Sequence, residues 1–138
     1  MAKYPDRMYR QSAVLPYRIR NNDPEILLIT SRKGKRWVVP KGVVEPDLTP
    51  SDSAAKEAME EAGVAGEVSE QVLGNYSYTK WGGVCRVQVF LMKVTTELDT
   101  WPEDNMRHRE WLTIDVAAKR VTEARLRDLI RRVPEVIK

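Results

Sequence analysis

The sequence contains one cysteine, Cys85, and no run that approaches the roughly 18 apolar residues of a membrane-spanning helix. A single thiol excludes an intramolecular disulfide framework and any metal site built from several cysteines. Cys85 lies in a predicted central strand, where we expect a buried and unreactive side chain. The N-terminus carries charges throughout and lacks the apolar core of a secretory signal. These absences favour a cytoplasmic protein that does not enter a membrane.

The composition is that of an ordinary soluble globule. Hydrophobic residues make up 42% and charged residues 31% of the chain, which is not the balance of a fibrous or disordered protein. The 138 residues fit one domain and hardly two. A chain of this length can bury roughly two thirds of its unfolded surface, so we expect residues 1–138 to form a single domain with one core.

Charge is distributed unevenly along the chain, although the net charge is only +3. Lys and Arg outnumber acids ten to three in residues 1–41 and nine to five in residues 106–138, whereas residues 42–105 carry four against twelve. An acidic middle between two basic flanks suits a cation site bordered by positive groups. Charge blocks are also usual on solvated surfaces, and the asymmetry alone does not separate the two interpretations.

Alternating and β-branched apolar runs predict a strand-rich chain. The predicted strands are residues 11–19, 25–31, 37–39, 67–79, 84–96 and 109–112. Helices are predicted over residues 50–62, 115–120 and 123–133, and a loop over residues 41–49. Strands, an inserted helix, further strands and a closing helix indicate an α+β sandwich with helices packed on a mixed sheet.

The clearest local signal is the helix over residues 50–62. Thr49 suits the N-cap, Pro50 suits the first helical position because its missing N–H would be unpaired there anyway, and Gly63 suits the C-terminal stop. At 3.6 residues per turn, one side of the helix carries Ala55, Ala58, Met59 and Ala62, and the opposite side carries Glu57, Glu60 and Glu61.

Glutamates at i, i+3 and i+4 repel one another, and each such pair weakens an isolated helix by a few tenths of a kcal/mol. A hard divalent cation would offset the repulsion, because Mg²⁺ prefers carboxylate and carbonyl oxygens and usually completes its shell with water and substrate phosphates. Gly42 has no side chain, so its carbonyl can approach the same ion, and Lys41 can meet a phosphate. The alternative is a solvated face on which Lys56 pairs with Glu60.

Residues 42–64 resemble the Nudix box, G-x5-E-x7-R-E-U-x-E-E-x-G-U, in which U is a bulky aliphatic residue. The spacing from Gly42 to Gly63 matches the pattern without an insertion. The resemblance implies a Nudix-type α/β/α sandwich with a mixed central sheet. It also implies Mg²⁺- or Mn²⁺-dependent hydrolysis of a nucleoside diphosphate linked to another group, with the metal chemistry carried by the three helix glutamates.

Three positions depart from that pattern. Leu48 replaces the first glutamate, which mainly supports the loop in the family, and Glu45 lies nearby but out of register. Lys56 replaces the arginine, which keeps the charge but loses a planar fork that can brace a carboxylate. Ala58 is smaller than the usual aliphatic residue. We expect the metal site to survive all three changes.

Outside the box, the chain resembles the diphosphoinositol polyphosphate phosphohydrolase branch, whose members also cleave diadenosine polyphosphates. The similarity rests on residues 12–14, 36–42, 91–103 and 107–112. The implied substrate is a highly phosphorylated small molecule, which arginine and lysine side chains would bind. The expected substrate contacts lie on predicted strand ends or loops: Arg18, Arg32, Arg36, Lys41, Arg107 and Arg109.

The expected mechanism is metal-assisted attack of water on phosphorus. Glu57 and Glu61 are the expected principal metal ligands, with the carbonyl of Gly42 beside them. Glu60 completes the metal shell or activates the water, so Glu60 and Glu61 are the candidate catalytic residues. Further candidates for the base are Glu103 and Glu110. His108, the only histidine, is expected to be a loop residue without a catalytic role.

Two other functions remain open from the sequence. A Nudix fold can serve as a ligand sensor with little turnover, or it can act as a pyrophosphohydrolase on RNA ends. The chain lacks a recognised RNA-binding module and an arginine-rich tail, so no nucleic-acid partner is expected. Three aromatic residues can stack on a nucleobase, namely Tyr76, Tyr78 and Trp81. For the two tyrosines, the alternative is packing on a face of the sheet. Substrate, cleaved bond, preferred metal and oligomeric state stay open.

Overall fold

The structure, a computed structural model, describes residues 7–138 and contains one sheet and three helices in that range. The strands are β1 (Met8–Arg20), β2 (Asp23–Thr30), β3 (Trp37–Val38), β4 (Lys41–Val43), β5 (Val64–Lys80), β6 (Gly83–Glu97) and β7 (Arg109–Thr113). The helices are α1 (Pro50–Ala62), α2 (Ile114–Arg120) and α3 (Ala124–Ile137). None of these helices is long and apolar enough to cross a membrane.

The sheet is mixed, as predicted. Its main strand order is β3-β2-β1-β6-β5, with β4 paired to β1 and β7 paired to β2. The long central strands β1 and β6 run parallel, whereas the other pairs are antiparallel. The connection from β1 to β6 carries α1, which therefore packs against the central strands.

Helices cover both faces of the sheet, which confirms the α/β/α sandwich. Successive side chains of a strand point to opposite faces, so Val14 packs under α1 while its neighbours Ala13 and Leu15 pack under α3. The α1 side is closed by small residues, Ala54, Ala58 and Ala62, and all three are fully buried. The α3 side is closed by larger ones, among them Leu126, Leu129 and Ile130.

Helix α1 begins and ends as predicted. The Thr49 hydroxyl accepts a hydrogen bond from the Asp52 amide, and Pro50 occupies the first turn. Gly63 adopts a left-handed conformation with φ of 68°, and its amide reaches back to the carbonyls of Ala58 and Met59. Glycine takes this conformation without the steric cost that a β-carbon imposes.

Strands β1 and β5 begin three residues before their predicted starts, and two further segments differ from the prediction. Residues 41–43 form strand β4 rather than loop, because they pair with residues 11–13 of β1, a contact between segments far apart in the sequence that local composition does not reveal. Helix α3 continues to Ile137 with Pro134 inside it. Proline lacks an N–H, and near a C-terminus this removes only one hydrogen bond from the helix.

Candidate active site

The acidic side of α1 lies over β4, and two of its three glutamates meet there. A β-carbon built on Gly42 would lie only 2.4 Å from Oε2 of Glu57, so that carboxylate packs directly against the glycine. The Lys41 amide donates a hydrogen bond of 3.3 Å to Oε1 of Glu61. The helix period and the short strand together bring Glu57, Glu61 and Gly42 to one point.

This arrangement raises the pKa values of both carboxyl groups. Burial, reinforced by hydrogen bonding to Glu57, raises the pKa of Glu61 to about 8, and the residue is only 7% exposed. Burial also raises the pKa of Glu57. Glu61 is buried and Glu57 is partly buried, and two adjacent carboxylates with little access to water resist ionising together, so the two groups titrate as a coupled pair.

The oxygen atoms at this point suit a hard divalent cation. Within residues 7–138, no group of three or more carboxylate, imidazole or thiol side chains converges as a ready-made metal site. Mg²⁺ does not require one, because it is usually bound by one or two carboxylates together with water and substrate phosphates. One buried and one partly buried carboxylate, both with raised pKa values, and an adjacent glycine backbone therefore fit such an ion.

Glu60 occupies a different position from its two neighbours. Its side chain is 40% exposed and its carboxylate lies 4.0 Å from Nζ of Lys56, and it does not line the cavity described below. The pairing of Lys56 with Glu60, which the alternative interpretation of the acidic face predicted, is therefore present, although its distance of 4.0 Å is long. A metal or catalytic role for Glu60 stays a prediction.

Lys56 has a closer partner in Glu45. Nζ of Lys56 lies 3.1 and 2.9 Å from the two carboxylate oxygens of Glu45, and the Glu45 amide donates to the hydroxyl of Ser53. The glutamate that seemed out of register therefore ties the loop before α1 to the helix. The contact links Lys56 to the loop that contains Leu48, whose amide donates to the Glu45 carbonyl at 3.1 Å.

Arg107 pairs with the carboxylates of Glu61 and Glu103, so its guanidinium is not free to bind substrate. It is 9% exposed; Nε donates to Glu103 at 2.8 Å, Nη1 donates to the Thr30 carbonyl at 3.0 Å, and Nη2 lies 3.7 Å from Oε1 of Glu61. Its charge opposes the rise in the pKa of Glu61. Arg107 lines the cavity, but its guanidinium is already committed to these protein groups.

Arg109, predicted as a substrate contact, is instead part of a cap on the C-terminus of α1. Its guanidinium donates to the carbonyls of Ala62 and Leu98 and stacks on Trp101 with 4.0 Å to the ring centroid. Trp101 in turn donates its indole N–H to the Glu61 carbonyl. The last carbonyls of a helix lack intrahelical partners and favour a cation, which explains why the arginine points there and not into the cavity.

Arg18 is also held away from the cavity. Its Nε donates to Glu25 at 2.8 Å, and its guanidinium lies 4.3 Å from the Trp111 ring centroid. Arg18 and Glu25 face each other across the β1–β2 pair, so the contact is a cross-strand ion pair. The structure therefore does not bring Arg18 or Arg109 to the carboxylates. Glu110 lies apart too and pairs with Arg120.

A cavity of about 860 Å³ opens in front of Glu57 and Glu61. Its lining contains seven basic residues against those two acids: Arg32, Lys33, Lys35, Arg36, Lys41, Lys80 and Arg107. Three of the predicted substrate contacts, Arg32, Arg36 and Lys41, line it alongside Arg107. Burial lowers the pKa of the Lys41 ammonium, which lies 5.3 Å from the Tyr78 ring centroid.

Sequence reasoning did not assign several lining residues to the site. Lys35 belongs to the basic turn between β2 and β3, and Lys80 ends β5. Tyr78 lines the cavity and donates to Gln11, whereas Tyr76 is buried in the core, as expected for sheet packing. The clustering of lysines and arginines within residues 32–36 was the available signal. The position of the β5–β6 turn came only from the fold.

The family model described as NUDIX domain matches residues 9–133 of the chain. Among similar curated proteins, Nudix hydrolase 16, mitochondrial, of Arabidopsis thaliana is 32% identical, covering 93% of this chain and 81% of that protein. Diphosphoinositol polyphosphate phosphohydrolase 3-beta of Bos taurus is 35% identical over 83% of this chain and 70% of its own length. Among solved structures, the C. elegans Ap4A hydrolase superposes with a TM-score of 0.79 at 21% identity, covering 96% of this chain and 100% of that one.

Proposed function

The chain belongs to the Nudix family and is a Nudix-type pyrophosphohydrolase, and on that premise we propose that it cleaves a phosphoanhydride bond in a dinucleoside polyphosphate or a similarly charged small molecule, using a divalent metal ion. The observation that carries the proposal is the meeting of Glu57 and Glu61 against Gly42, at the wall of a cavity rich in lysine and arginine.

Glu57, Glu61 and the backbone at Gly42 would hold the ion, with Mg²⁺ as the expected metal and Mn²⁺ as an alternative. When bound, such an ion polarises a phosphoryl group and lowers the pKa of a water molecule. The protein's own contribution is to fix the two carboxylates. The Lys41 amide and Arg107 hold Glu61 from two sides, and the Gly42 backbone positions Glu57.

The substrate class follows from the charge of the lining. The lining has seven basic residues and two acidic ones. It therefore keeps an excess of positive charge even if Arg107, which pairs with Glu61 and Glu103, is left out. Arginine and lysine form charge-assisted hydrogen bonds with phosphate oxygens, and Lys41 lies next to the metal-binding backbone. A chain of several phosphates matches this surface better than a single phosphate does. The names of similar proteins, which mention diphosphoinositol polyphosphate and Ap4A, agree with a substrate of this kind.

The direct test is a panel of substrates that contain phosphoanhydride bonds, incubated with Mg²⁺, with Mn²⁺ or with a chelator, and with the products separated by ion exchange. We expect hydrolysis only in the presence of a divalent ion, and a large loss of kcat/KM in Glu57→Gln and in Glu61→Gln. Turnover that persists in the chelator or in both variants would contradict the metal assignment. Binding without turnover of any compound would indicate a ligand sensor.

A further inference from the structure

The turn between β5 and β6 has an unusual residue at its tip. Lys80 pairs with Gly83, so the turn consists of two residues, Trp81 and Gly82, with φ of 55° and 69°. A two-residue turn with both φ values positive is the type I′ turn, which prefers Asn-Gly. A bulky residue at positive φ is a genuine outlier. Trp81 is therefore not explained by the needs of the turn.

The surroundings of Trp81 do not explain it as a core residue either. Its side chain is 55% exposed, although exposing a large aromatic surface is unfavourable. Tyr9 packs against it edge to face with 5.1 Å between the ring centroids, and Nζ of Lys80 lies 4.7 Å from its centroid. The indole is held in a defined orientation while more than half of its surface stays open.

Trp81 lines the same cavity as the two carboxylates. Strained backbone in a folded protein is concentrated where function requires it, and here the strained residue presents an aromatic surface to a cavity built for phosphates. Lys80, the neighbouring residue, also lines that cavity. A ligand with an aromatic group at the end of a phosphate chain would use both features.

We propose that Trp81 is the stacking platform for a nucleobase, so that the cavity takes a nucleoside polyphosphate in preference to a phosphorylated polyol. The inference rests on the proposed function and specifies its substrate class. The base lies on the Trp81 ring, and the phosphates extend along the basic lining toward Glu57 and Glu61. A polyol pyrophosphate has no aromatic group and gains nothing from this residue.

The decisive variant is Trp81→Asn, because asparagine suits the type I′ turn and removes only the ring. We would measure binding by calorimetry, with Mg²⁺ present, for a non-hydrolysable diadenosine tetraphosphate analogue and for tripolyphosphate, which has no base. Stacking of one base on an aromatic side chain is worth about 1–3 kcal/mol, so the analogue should bind about 5- to 150-fold more weakly. Affinity for tripolyphosphate should change much less, and the melting temperature should stay equal or rise.

Two further variants complete the design. Trp81→Phe retains a ring and should recover most of the affinity for the analogue. Val116→Asn replaces another exposed apolar residue, on α2 and outside the cavity lining, and should bind both probes as the wild type does. Equal binding of the analogue by wild type and Trp81→Asn would overturn the inference, and so would an equal loss for both probes. Failure of the wild type to bind either probe would overturn the proposed function as well.

Discussion

Metal-free protein should lose stability as the pH rises, and Glu61 should be the cause. The pKa of Glu61 is about 8 in the folded state against 4.5 for an ordinary glutamate, so the folded protein binds the proton more tightly than the unfolded chain does. The stabilisation is complete below pH 4.5 and is lost progressively as the pH rises from 4.5 to about 8. At about 1.4 kcal/mol per pH unit, this is roughly 3 kcal/mol between pH 5 and pH 7, as an upper figure for the coupled Glu57–Glu61 pair.

The assay is urea unfolding in a chelator at pH 5, 6, 7 and 8, with Glu61→Gln as the matched variant. Glutamine keeps the size of the side chain and cannot ionise, so the stability of the variant should fall much less than that of the wild type over this range. The difference between wild type and variant isolates Glu61 from the remaining titrating groups. Excess Mg²⁺ should reverse the wild-type trend, because metal binding requires the deprotonated carboxylate and stabilises only the folded state.

Parallel stability curves for wild type and Glu61→Gln between pH 5 and 8 would refute the reasoning. They would mean that Glu61 is ionised in the metal-free protein and that Arg107, 3.7 Å away, outweighs the effect of burial. A wild-type curve that falls without any response to Mg²⁺ would instead confirm the buried proton and contradict the metal site.

Three further predictions concern neighbouring residues. Gly42→Ala should change the free energy of unfolding by less than about 1 kcal/mol relative to wild type, because the nearest atoms to the added methyl group belong to the flexible side chain of Glu57. Calorimetry should nevertheless show Mn²⁺ binding that is weaker by about tenfold or more, and unchanged binding would contradict the role of the glycine. Arg107→Met should lower the free energy of unfolding in urea by about 3–5 kcal/mol, because it leaves Glu103 and Glu61 without their buried partner. A decrease below about 1 kcal/mol would contradict the role of Arg107 in holding these carboxylates. Lys41→Ala should raise KM about tenfold or more, whereas Arg18→Ala, which lies outside the cavity, should leave KM unchanged. An equal change of KM in the two variants would contradict the placement of Lys41 in the cavity and of Arg18 outside it.

Helix α1 shows how far local sequence information reaches. Its caps, its length and the spacing of its glutamates depend on residues within about one turn of each other, and all of them were correctly predicted. Its packing side was predicted in part, because Ala58 and Ala62 are fully buried while Met59 is only half-buried and Ala54 takes its place in the core. The sheet geometry decides which alanines face it.

The arginines show where local information ends. Arg107 and Arg109 are two residues apart and chemically identical, yet one braces Glu61 and the other caps the end of α1. Nothing near them in the sequence separates these roles, since both partners lie on a helix more than forty residues away. The side-chain direction of each arginine follows from its position before or in β7 and from the packing of that segment against α1.

The sequence by itself determined that two carboxylates lie one helical turn apart after a glycine, because helix periodicity is a local property of the chain. Only the tertiary structure decided which cations surround them and that Trp81 opens into the same cavity. Those contacts join strands and loops distant in sequence, and their geometry depends on strand pairing and packing rather than on any local pattern.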